Sequence, residues 1–170
     1  KKFKTKQDAE ASAQVLTHTQ FILNETTKNL EKIRKRKEDA KTAIKDFDKM
    51  SVNGRAIIVH EADIRANEIL LAHFKKQLNN APEKLGEKEK LLLELDIDET
   101  EKEIKNSQEL LSEAKAAHTT EKVEYEGKEI SAEDNDAKYV IPKDQLDVFR
   151  LERGREVAAL KSIDHFTKNL

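Results

Sequence analysis

Apolar residues along this chain recur every three or four positions, and over long stretches every seven. Leu16, Leu23, Leu30 and Ile44 share one heptad position, and Ile33, Ala40 and Phe47 share the position three residues later. A 3.5-residue recurrence keeps one stripe facing a partner helix, so the pattern predicts a coiled-coil helix over about 7–49. Thr19, Thr26 and Lys37 fall on the same stripe and make it locally polar. "SVNG" then predicts the helix stop, with Asn53-Gly54 suited to a left-handed turn. A second helix is predicted over 55–79, where Ile57, Ile64, Leu71 and Leu78 repeat every seven residues and Phe74 and Ala81 take the companion position. Ile58, Ala62 and Ile69 widen this stripe, as expected of a helix that touches two neighbours. A third runs over 82–123, with Asn80 as its cap and Pro82 in its first turn, carrying Leu93, Ile97, Ile104, Leu111 and Ala114. A fourth, over 143–168, carries Leu146, Phe149, Val157, Leu160 and Ile163, with Gly154 marking a close helix contact or a kink.

The predicted fold is therefore all-α: a single elongated domain, an antiparallel helical hairpin or four-helix coiled-coil bundle. Short connections make consecutive helices antiparallel neighbours. At 1.5 Å per residue the first and third helices would each be roughly 60 Å long and the other two nearer 40 Å. That arithmetic places the connection after the third helix, residues 124–142, at one apex of a rod.

This connection breaks the helical pattern. "VEYEGKEI" alternates Val123 and Tyr125 with glutamates, and Gly127-Lys128 suits a two-residue primed turn before Ile130, which together predict a β-hairpin. "KYVI" is expected to add a third strand before Pro142. Glu129, Glu133, Asp134 and Asp136 form an acidic loop, which makes calcium a minor candidate ligand. Bundle connections usually run about two to eight residues, so one of roughly 19 with strand-like composition is a candidate for function.

Composition narrows the classes. Of 170 residues, 36% are hydrophobic and 39% charged, which suits narrow helix seams better than a thick core. Lys plus Arg number 32 against 34 Asp plus Glu, so the net charge of −2 offers no one-sided basic field for nucleic acid. No apolar run approaches the ~20 residues of a membrane span. Cysteine is absent, which removes disulfides, thiol nucleophiles and Cys-ligated metals, without fixing a compartment, since cytosolic and bacterial secreted proteins both do without it. The opening Lys1, with Met50 the only methionine, suggests a segment of something longer.

Catalytic patterns are missing. The chain has no G-x-S-x-G, no phosphate loop and no G-x-G-x-x-G, and its four glycines are far apart. The five histidines (His18, His60, His73, His118, His165) form no H-E-x-x-H pair; His60 and Asp63 share a helix face, while His60 and His118 read as seam-edge residues. "DIDETE" at 96–101 lacks the glycine of a calcium loop. "KIRKRK" at 32–37 reads as a solvated helix face rather than a nucleic-acid patch, because "EDAK" follows and Ile33 lies in the seam. Neither a catalytic residue, a metal site nor a cofactor is predicted.

What these patterns support is a non-enzymatic coiled-coil module for protein–protein interaction, with the tip at 124–142 as its recognition element. Its anchors would be Tyr125, Lys128, Ile130, Tyr139, Val140 and Ile141, tyrosine offering contact area with a polar handle. A structural protein that self-associates through its helical seam is the alternative. At the level of architecture, a helical hairpin with an irregular apex also resembles the receptor-binding rods of colicin-type bacterial toxins. That resemblance implies a cell-surface receptor as partner.

Overall fold

The computed structural model describes residues 5–80 and 82–168. Among these there are five α-helices and one two-stranded antiparallel sheet, and 84% of the structure is helical. The all-α reading with a small β insert holds. Two compact units share the chain, one of Lys1–Ile44 with Pro142–Leu170, the other of Lys45–Ile141.

In the first unit, α1 (Lys6–Ala43) packs against α5 (Lys143–Lys168). Thr5 caps α1, its hydroxyl accepting from the Asp8 N–H at 3.1 Å. The helix stops at Ala43, short of the predicted 49, and Lys45–Lys49 form a 3₁₀ turn. The heptad reading of α1 holds where it has a partner: Leu30, Ile33, Ala40 and Ile44 are buried, while Leu16 is largely exposed. Arg36 reaches Glu152 and Arg34 reaches Glu156, so the two helices run antiparallel.

The partner stripe on α5 differs from the expected one. Phe149, Glu152, Glu156, Ala159, Ile163 and Phe166 follow a 3–4 spacing and are buried or half-buried, whereas Val157 and Leu160 are exposed. Two glutamates thus occupy seam positions that sequence hydrophobicity assigned elsewhere. They are matched by the basic run of α1. Arg36 Nε lies 3.2 Å from Glu152, whose side chain is only 3% exposed, and Arg155 Nη1 is 2.9 Å away. Lys37 donates to both oxygens of Glu156 at 3.1 and 3.0 Å. Those bonds, led by Lys37, outweigh desolvation and hold the Glu156 carboxyl below its usual range. "KIRKRK" is therefore not a purely solvated face: three of its bases form the polar layer of this helix pair. A Cβ added at Gly154 would meet no atom of another element within 4 Å, and α5 continues through it, so no close helix contact requires a glycine there.

In the second unit, α2 (Val52–Asn79) and α3 (Glu87–His118) form an antiparallel pair. Their connection contains a 3₁₀ turn, Pro82–Lys84. Asn80 ends α2 instead of capping α3, and Gly86 takes the cap position of α3. Ala81, expected on the α2 stripe, lies outside the described residues. "SVNG" does not end a helix. It begins one: Ser51 is the N-cap of α2 and Gly54 lies in its first turn.

Two contacts fix the α2–α3 register, Lys75–Glu101 at 3.5 Å and the Asn53 N–H to Glu121 at 3.0 Å. Thr100, Ser107 and Ala114, seven residues apart on α3, are all buried, so small residues occupy part of its seam. Thr100 satisfies its hydroxyl by donating to the Asp96 carbonyl at 2.6 Å.

After α3 the chain forms β1 (Lys122–Tyr125), β2 (Lys128–Ser131) and the short α4 (Ala132–Asp136). The third helix thus ends at His118, not Val123. Val123 pairs with Ile130 and Tyr125 with Lys128, which puts Glu126 and Gly127 in the turn, one residue earlier than predicted. Both have positive φ, 50° and 76°, as a type I′ turn requires. "KYVI" forms no strand.

Candidate functional site

The interior of the second unit is mostly seam, but one end holds a buried polar junction. It joins the start of α2, the end of α3 and α4. Asp136 is its centre. The Ser51 N–H donates to Asp136 Oδ1 at 2.8 Å, and the Ser51 hydroxyl donates to Oδ2 at 2.5 Å across 85 residues of sequence. His118 Nε2 lies 2.7 Å from the same Oδ2, and the Asn135 amide donates to Oδ1 at 3.0 Å. Because an ionised carboxylate only accepts, Nε2 must carry the shared proton. Asn135 also donates to the Lys49 carbonyl at 3.3 Å.

Local chemistry explains each placement. Ser51 caps α2, its oxygen accepting from the Gly54 N–H at 3.0 Å while its proton goes to Asp136. Beside it, Glu121 takes the Asn53 N–H, so two first-turn donors of α2 have carboxylate or capped partners. Ser131 caps α4 through the Asp134 N–H at 3.1 Å. Burial pushes the Asp136 carboxyl up, but the hydrogen bonds from Ser51, His118 and Asn135 together outweigh it, and its pKa is lowered. Gly54 makes the close approach possible: a Cβ there would lie 1.9 Å from Asp136 Oδ2.

Ser, His and Asp meet here, but in the wrong order for a nucleophile. In a hydrolytic triad the histidine takes the serine proton and the carboxylate orients the histidine. Here the carboxylate sits between the other two and takes both their hydrogen bonds. Among the described residues no group of three or more His, Asp or Glu is placed to hold a metal ion. The acidic residues that suggested a calcium loop are dispersed: Glu129 is in β2, Glu133 and Asp134 are exposed on α4, and Asp136 is buried. The junction can hold backbone in place; it has no free nucleophile.

The predicted contact residues lie in the chain on either side of α4. Tyr125 is 38% exposed, with Lys138 Nζ 2.9 Å above its ring centroid. Lys128 is exposed across the hairpin from Tyr125, and Ile130 is half-buried beside Val123. Tyr139 and Ile141 are half-buried, whereas Val140 is 83% exposed. Within its unit the insert lies at the end opposite the α2–α3 turn, folded against the start of α2.

Sequence reasoning missed Ser51, Asn135 and the role of His118 and Asp136. One signal was present: a serine three residues before a glycine at the start of an apolar helical pattern marks an N-cap with room beside it. No protein-family model, curated protein or solved structure matches this chain.

Proposed function

We propose that this chain is a non-enzymatic helical module for protein recognition, and that the insert is its contact face. The observation that carries this reading is Val140, a large apolar residue 83% exposed, four residues after the buried carboxylate of Asp136. Exposed side chains at interfaces bind best when their backbone is already ordered, because less entropy is lost on association. The Asp136 junction provides that ordering, and Tyr125 adds an aromatic anchor with a cation above it. Tyr139 and Ile141, half-buried on either side of Val140, brace the segment more than they present it.

The test is affinity capture with the full chain from lysates, compared with Val140→Asp and Tyr125→Ala variants shown to be folded by circular dichroism. The expected result is loss of at least one reproducible partner in both variants. Identical partner sets for all three chains would overturn the assignment of the contact face.

A further inference from the structure

Asn53-Gly54 is the one place in the chain where a glycine follows an asparagine. In open backbone that pair is chemically labile. The Gly54 nitrogen, after giving its proton to a base in solution, attacks the side-chain carbonyl carbon of Asn53. A C–N bond forms, the side-chain nitrogen leaves as ammonia, and a five-membered succinimide results. Water then opens either imide carbonyl, leaving aspartate or isoaspartate. Water and a base are the only reagents, and glycine favours the attack because no side chain shields its nitrogen.

The folded chain blocks each requirement. Ring closure needs the Asn53 ψ turned out of the helical well at about −42°, and Asn53 is the second residue of α2. The attacking nitrogen is occupied, since the Gly54 N–H donates to Ser51 Oγ at 3.0 Å. Gly54 is also buried, which shields that N–H from base in solution. Ser51 is held in turn by Asp136, which accepts from both its N–H and its hydroxyl. Glu121 accepts the Asn53 N–H at 3.0 Å. Asp136 ends α4 and Glu121 directly precedes β1, so both carboxylates leave together when the insert detaches from the start of α2.

We propose that Asn53 is a self-modification site gated by the Asp136 junction: it stays intact while the junction is closed and converts to isoaspartate and aspartate when the junction opens. The change runs one way. Isoaspartate carries the chain through its side chain and adds one backbone carbon before Gly54, so the Gly54 N–H no longer falls on Ser51 Oγ. Either product also adds a negative charge to the residue whose N–H Glu121 holds. An opening of the junction is thereby recorded in the covalent structure.

Peptide mapping by mass spectrometry, with isoaspartate detected by enzymatic methylation, follows Asn53 in the full chain during incubation in mildly alkaline buffer. A synthetic peptide of residues 47–60 sets the rate in open backbone. Only the open fraction reacts, so the folded chain should be slower than the peptide by a factor on the order of a hundred or more. Ser51→Ala, which removes the acceptor for the Gly54 N–H, should speed the reaction by about tenfold. Asp136→Asn, which keeps the side-chain shape, should speed it by a smaller factor, and Arg36→Ala, in the other unit, should leave it unchanged. The modified chain, separated by ion exchange, should unfold at lower urea than the parent. Reaction of the parent at the peptide rate, equal rates in the parent and both junction variants, the same acceleration from Arg36→Ala as from Ser51→Ala, or an unchanged urea midpoint after modification would each overturn the proposal.

Discussion

Replacing Gly54 with alanine should destabilise this protein, although the general rule for helices says the opposite. Alanine is favoured over glycine in a helix interior by about 1 kcal/mol, and Gly54 lies in the first turn of α2 without a positive φ. The added Cβ, however, would stand 1.9 Å from Asp136 Oδ2, 2.8 Å from its Cγ and 2.8 Å from Ser51 Oγ. Asp136 is a short, buried side chain fixed by Ser51, His118 and Asn135, so it cannot swing aside and keep its partners. Hydrogen bonds to a charged group contribute about 1.5–3 kcal/mol each. Losing two of them costs about 3–6 kcal/mol, and the helix preference offsets about 1, so a net loss of about 2–5 kcal/mol is expected. Urea unfolding followed by circular dichroism measures it. The reasoning also fixes a second number: in an Asp136→Ala background the clash with the carboxylate is gone and Ser51 Oγ, no longer held by it, is free to turn aside, so Gly54→Ala should become neutral or stabilising by up to about 1 kcal/mol. If Gly54→Ala has the same effect in both backgrounds, the glycine is not there to admit the carboxylate and the account of the junction is wrong.

Two further predictions follow from the buried charges. The Asp136 carboxyl has a native pKa below its ordinary value of 3.8, so its contribution is complete above the unfolded-state pKa of about 3.9 and is lost as pH falls through the lower native value. Asp136→Asn should therefore be less stable than the parent at pH 7 by about 1–3 kcal/mol, with the gap closing below about pH 4; a constant gap between pH 7 and pH 2 in urea titrations would contradict this. In the first unit, Glu152→Leu should be neutral or stabilising, because a well-packed apolar residue often replaces a buried ion pair without loss, whereas Arg36→Ala should cost about 1–2 kcal/mol, less than a fully buried pair because Arg155 remains beside Glu152. Thermal unfolding of the two variants checks the order, and a more stable Arg36→Ala than Glu152→Leu would show that the polar layer is not held as described.

Helix positions and much of the α1, α2 and α3 seams were legible in the sequence, because a 3.5-residue recurrence of Leu and Ile depends only on backbone geometry and on which residues avoid water; Leu16 and Ile69, read as stripe residues, are exposed. The hairpin was legible for the same local reason, a glycine between alternating residues, though its turn was read one position late: Glu126 adopts the left-handed conformation along with Gly127. Partner choice was not legible. Sequence order favoured consecutive helices, yet the partner of α1 is α5, and only that pairing shows Glu152 and Glu156 as seam residues, since a glutamate is worth burying only where Arg36 and Lys37 are waiting. The same holds for the junction. Ser51, His118 and Asp136 each look like ordinary capping, edge or loop residues by themselves. A buried carboxylate becomes favourable only when several donors converge on it from distant parts of the chain, and convergence of that kind is a property of tertiary structure that no local pattern encodes.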